Sequence, residues 1–112
     1  MSKLSEEYLK HILDEIKFLL ISSGDTTEDK FMRDETLQRA YSRSLEIIGE
    51  ATKQLPKDFT DKYPEIDWDS MAGMRDKLIH HYFGVDYAIV WDVVKNELPK
   101  LKLQIQNLIQ KT

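Results

Sequence analysis

The chain has 112 residues, 41% apolar and 32% charged, which suits one globular domain with a modest core and excludes a disordered chain. Its 16 basic and 20 acidic residues leave a net charge of −4, which argues against broad coating of nucleic acid yet leaves room for a small local site. Cysteine is absent, so disulfides, thiolate catalysis and Cys-ligated zinc are excluded. No window approaches the roughly 18 apolar residues of a membrane span. The start, Met1 to Glu7, lacks the apolar core of a signal peptide. The expected protein is cytoplasmic, with no membrane partner.

In chain order, helical periodicity dominates and no alternating strand pattern appears. Residues 5–21 carry Tyr8, Ile12, Ile16, Leu19 and Leu20 on one face, widened by Leu9 and Leu13. His11 falls near that stripe and reads as an edge-of-core histidine. The turn-forming run Ser22-Ser23-Gly24-Asp25 ends the helix, and a polar stretch leads to Phe31 and Met32.

Asp34 is positioned to cap a second helix, with Leu37, Ala40, Tyr41, Ser44, Leu45, Ile48, Ala51 and Leu55 recurring until Pro56. Its other face bears Arg39, Arg43, Glu46 and Glu50, either a solvent stripe with local ion pairs or a polar partner surface. Residues 56–68 read as a loop or short irregular segment that Trp68 anchors to the core. Asp67 or Asp69 caps a third helix that continues through Arg75.

Gly84 interrupts the pattern, because glycine tolerates a left-handed turn cheaply. Asp86 caps a last helix with Ile89, Val90, Val93, Val94 and Leu98 inward. Pro99 either kinks it or opens a new helix, which Leu101, Leu103, Ile105 and Leu108 continue. Lys95, Lys100, Lys102 and Lys111 make this end basic, which suits a solvated helix surface with a favourable dipole. The whole predicts a single all-α domain over residues 1–112, an antiparallel bundle of four to five helices.

The chemistry concentrates in Arg75-Asp76-Lys77-Leu78-Ile79-His80-His81-Tyr82. On one continuous helix, Met71, Met74, Leu78, Ile79 and Tyr82 form an apolar stripe with Arg75 near its middle. A buried guanidinium needs a carboxylate, a phosphate or a wet subunit gap. Metal-free RNA cleavage needs a base for the ribose 2′-OH and a cation for the charge building on phosphate. His80 and Arg75 have those properties, with Tyr82 a possible donor or phosphate ligand. A regular helix would point Arg75 and His80 about 140° apart. Cooperation therefore requires the helix to distort or end near Ile79, or a symmetric dimer to share the site, which is the favoured expectation. Chance spacing, or a helix end stabilised by the His80-His81 pair, is the competing explanation. No metal motif, Ser–His–Asp pattern or glycine-rich phosphate loop occurs.

Arg75-x4-His80-x-Tyr82 resembles the R-x(4–6)-H-x-Y motif of the HepT-like ribonucleases, formerly DUF86, in the HEPN superfamily. The similarity continues through Arg43 to Ala51, Tyr63 to Trp68, Met71 to Arg75, Tyr82 to Asp86, Ile89 to Trp91 and Leu98-Pro99. It covers most of the chain from Leu37 to Leu101. The resemblance implies a dimeric HEPN bundle acting as the RNase toxin of a type VII toxin–antitoxin pair. Arg75 and His80 would be its catalytic residues, cutting RNA (tRNA among the candidates) through the 2′-OH without a metal or other cofactor. An MntA-like minimal nucleotidyltransferase antitoxin would silence it by moving AMP from ATP onto Tyr82. Lys77 and His81 are neighbouring candidates for RNA contact or support of the site. The alternative from another class is a non-catalytic helical module that presents substrate to, or scaffolds, a nucleotidyltransferase.

Overall fold

Helix α1 (Lys3–Gly24) begins where the Ser2 side chain accepts the Ser5 N–H at 3.1 Å, satisfying one of the amides a helix start leaves orphaned. This is a computed structural model, and it describes residues 1–79 and 84–111. Leu9, Ile12, Ile16 and Leu19 recur every three or four residues and are fully buried, so α1 presents one continuous apolar stripe. Tyr8, Leu13 and Leu20 are only partly buried at its margins, and His11 is exposed rather than packed at the core edge.

The stretch after α1 contains a turn of helix that periodicity cannot reveal. In α2 (Glu28–Phe31), the Thr27 side chain accepts the Lys30 N–H, and that cap turns Phe31 into the core. There Phe31 stacks on Tyr41 with ring centroids 4.9 Å apart and lies against Trp91 at 5.3 Å. Asp34 caps α3 (Glu35–Lys53) as expected, accepting the Leu37 N–H at 3.0 Å.

Helices α1 and α3 run antiparallel. Ser22 meets the Tyr41 hydroxyl at 2.7 Å near one end, and Ser44 donates to Glu15 Oε1 at 2.8 Å further along. The outer face of α3 carries local ion pairs, Arg39–Glu35, Arg43–Glu46 and Arg43–Glu50, as its solvent-stripe reading requires.

A further one-turn helix, α4 (Lys57–Thr60), replaces the expected loop. It buries Phe59, whose ring meets Tyr63 and Trp68, while the Trp68 indole N–H donates to the Tyr63 carbonyl at 3.0 Å. Asp67, not Asp69, caps α5 (Trp68–Ala72) by accepting the Ser70 N–H. Gly73 separates it from α6 (Met74–Leu78).

The last part of the chain is one continuous helical rod of three segments. Asp86 caps α7 (Tyr87–Asp92), accepting the Ala88 and Ile89 N–H groups. A π turn spans Val93–Glu97, and α8 runs from Leu98 to Gln110 with Pro99 in its first turn. Proline has no N–H and its ring crowds the carbonyl four residues earlier. The π turn absorbs this conflict: the Leu98 N–H reaches back five residues to the Val93 carbonyl. Leu98, Leu101, Ile105 and Leu108 are buried, but Leu103 is 61% exposed because it falls on the far side of that stripe.

The architecture is the expected all-α bundle. Helix α1 lies between α3 and α8, and the short helices α5 and α6 pack on α3. Among the described residues no buried side-chain nitrogen or oxygen lacks a hydrogen-bond partner. Among them, too, no helix is long and apolar enough to cross a membrane.

Gly49 governs how closely α3 approaches the α5–α6 junction. A Cβ built there would sit 3.3 Å from the Met71 carbonyl oxygen and 3.4 Å from that of Ala72. Backbone oxygens do not yield as a flexible side chain would, so a branched residue overpacks the junction. Gly49→Val is expected to cost about 1–3 kcal/mol, read as a fall in thermal midpoint. An unchanged or raised midpoint contradicts the close approach.

Candidate active site

Gly73 and Ile79 bound α6, a five-residue helix with buried anchors at Met74 and Leu78. Arg75, Asp76 and Lys77 between them are exposed. The placement of Arg75 in the middle of an apolar stripe is therefore corrected. That stripe assumed one helix running through Ile79, but Ile79 has left it, with φ −85° and ψ 129°, and is 41% exposed. Without Ile79 the buried line runs through Met74 and Leu78, and at 100° per residue Arg75 stands about 80° to one side. Its guanidinium needs no internal counter-charge, and among the described residues it has no ion-pair partner.

The end of α6 also removes a geometric obstacle. The 140° divergence between Arg75 and His80 holds only in a continuous helix, and α6 stops at Leu78. The Asp86 N–H donates to the Leu78 carbonyl at 2.8 Å, and Ile79 pairs with Val85 in an isolated antiparallel bridge. Gly84 has φ +77°, the left-handed conformation for which its position was marked. His80, His81 and Tyr82 lie outside the described residues, in the interval whose flanks this bridge ties together.

Lys77 is engaged from the other side of α6. Its Nζ lies 2.8 Å from Glu97 Oε2 in the π turn, with both side chains about two-fifths exposed (41% and 39%). The sequence does not announce this pair, because its members are 20 residues apart. The sole hint is Pro99, which makes the preceding turn of helix abnormal. Beside it a cleft of about 240 Å³ separates α5 and α6 from the start of α8. Met71, Met74 and Leu101 line it, with Glu65, Asp67 and Glu97 among its polar residues. These three carboxylates outnumber the one lining cation, Lys100, so the cleft disfavours phosphate and is a poor path for an RNA backbone. Among the described residues no three His, Cys, Asp or Glu side chains cluster closely enough to hold a metal ion.

The family model described as "Ribonuclease HepT-like" matches residues 6–108, from the first turn of α1 to the last turn of α8. The chain belongs to the HepT-like ribonuclease family. Among the relatives of this HepT-like chain is a protein of Caldanaerobacter subterraneus subsp. tengcongensis named "Putative RNase", 48% identical over 97% of both chains. Another of that name, from Methanocaldococcus jannaschii, is 48% identical over 92% of this chain and 85% of its own. A "Probable ribonuclease HepT" of Thermococcus cleftensis is 43% identical over 96% of this chain and 98% of its own. No solved structure matches the chain.

Proposed function

We propose that this HepT-like protein is a metal-independent endoribonuclease, the toxin of a toxin–antitoxin pair, with Arg75 and His80 as its catalytic residues. The observation that carries the reading is Arg75 itself. It is a fixed cation, exposed and without an ion-pair partner among the described residues, on a helix that ends three residues later, just before His80. A guanidinium in that state is available to a substrate phosphate, which its planar fork can grip with two hydrogen bonds.

In the proposed reaction His80 accepts the ribose 2′-OH proton. The 2′ oxygen bonds to the adjacent phosphorus, and the bond to the 5′ oxygen breaks. The products are a 2′,3′-cyclic phosphate on one fragment and, once the 5′ oxygen takes up a proton, a 5′-hydroxyl on the other. Arg75 stabilises the charge that grows on the non-bridging phosphate oxygens. A homodimer would bring two Arg75 and two His80 residues toward one axis. The net charge of −4 favours a substrate gripped at a few points, such as a structured RNA of the tRNA type, over broad binding. The antitoxin of this reading is an MntA-like nucleotidyltransferase that adenylylates Tyr82.

The test is unmodified protein incubated with total RNA in EDTA. Discrete fragments ending in cyclic phosphate are expected. Intact RNA, or cleavage restored only by divalent metal, would count against the reading.

A further inference from the structure

We propose that Glu97 is a positioning residue for Arg75, acting through Lys77. This rests on reading Arg75 as the phosphate-binding group. Helix α6 has five residues, too few to hold its own conformation in water, and no side chain caps its start at Gly73. Its apolar anchors, Met74 and Leu78, lie one turn apart along a single line. Two anchors on a line, with the Leu78 carbonyl held by the Asp86 N–H at the far end, fix where the helix lies more firmly than its roll about that line.

The helical repeat places Arg75 about 80° to one side of the anchored line and Lys77 about 80° to the other. Any roll that lifts Lys77 therefore lowers Arg75. A tie at Lys77 sets how far the guanidinium stands out from the protein. Glu97 supplies that tie at 2.8 Å. Among the described residues it is the one ion pair that joins two separate elements; the others link neighbours along a single stretch of helix or its cap. Glu97 lies in the π turn, whose extra residue rotates its carboxylate relative to a plain α-helix. The local anomaly that accommodates Pro99 thus also sets the position of the third anchor of α6.

The experiment compares Glu97→Gln, Lys77→Gln, the double variant and the swap Lys77→Glu/Glu97→Lys, with Arg75→Ala and His80→Ala alongside. Steady-state cleavage of a short RNA and hydrogen exchange of the amides from Arg75 to Ile79 are measured on the full-length protein. Each single variant is expected to lower kcat about five- to tenfold with little change in KM, since small misplacements of a reacting group are costly. The double should be no worse than either single, and the swap should recover most of the loss. Amide exchange in α6 should accelerate in the singles and return to wild-type rates in the swap. Wild-type exchange in both singles overturns the proposal whatever the activity. So does a KM rise confined to Lys77→Gln, which would make Lys77 a direct RNA contact. Wild-type cleavage by Arg75→Ala instead defeats the reading of Arg75, while the exchange rates still report whether Glu97 holds α6.

Discussion

Replacing Arg75 with alanine is expected to slow RNA cleavage about 10²–10³-fold, the usual loss when one stabiliser of transition-state charge is removed. The thermal midpoint should stay near that of the wild type. Arg75 is exposed and has no ion-pair partner among the described residues, so the fold loses little with it. Surface changes of this kind stay within about 0.5 kcal/mol. Separating rate from stability is what makes the variant decisive: a large kinetic loss in a fully folded protein places Arg75 at the reacting phosphate. Arg75→Lys keeps the charge but loses the planar fork, so an intermediate rate is expected. His80→Ala should cost about 10²–10⁴-fold if the proposed base is removed with it. The two losses should not add in the double variant, because residues that act in one step fail together. Wild-type rates from Arg75→Ala would remove the guanidinium from the mechanism.

The parts of this molecule that were legible in the sequence are those governed by near neighbours. Asp34 and Asp86 cap helices where their spacing to the first apolar residues indicated. Gly84 takes a positive φ, and Pro99 lies in the first turn of a helix. Each depends on a few adjacent residues. Helices α2 and α4 escaped because one turn is too short to show a period, although Phe31 and Phe59 need those turns to reach the core. Arg75 was misplaced for a related reason. Ile79 is apolar and in helical register with Met71 and Leu78, but nothing local shows that the helix stops one residue before it. That stop is tied by the Asp86 N–H reaching the Leu78 carbonyl, a contact across the undescribed interval. The Lys77–Glu97 pair was hidden by its separation of 20 residues along the chain. Of the candidate site, the sequence identified the residue types, and the structure supplied the exposure of Arg75 and the end of its helix.

Tyr82→Phe should separate cleavage from its control. When the wild-type protein is co-expressed with a nucleotidyltransferase partner, its intact mass is expected to show AMP adducts and its cleavage activity to be suppressed. The Tyr82 oxygen would bond to the α-phosphorus of ATP as pyrophosphate leaves. The phenylalanine variant keeps the ring and lacks only that oxygen, so it should carry no adduct and keep cutting RNA beside an active partner. The physical reason lies at Arg75. A phosphodiester-linked AMP adds a bulky anion close in sequence to an exposed guanidinium, and an anion placed by an arginine pairs with it. The adduct would then fill the position proposed for the substrate phosphate and neutralise the charge meant to stabilise it. High salt should weaken RNA binding to the unmodified protein, yet it should not free the adenylylated one, whose anion is tethered. An unmodified wild type beside a demonstrably active partner would sink this account. A Tyr82→Phe variant that fails to cleave even alone would instead assign the hydroxyl to the cleavage step.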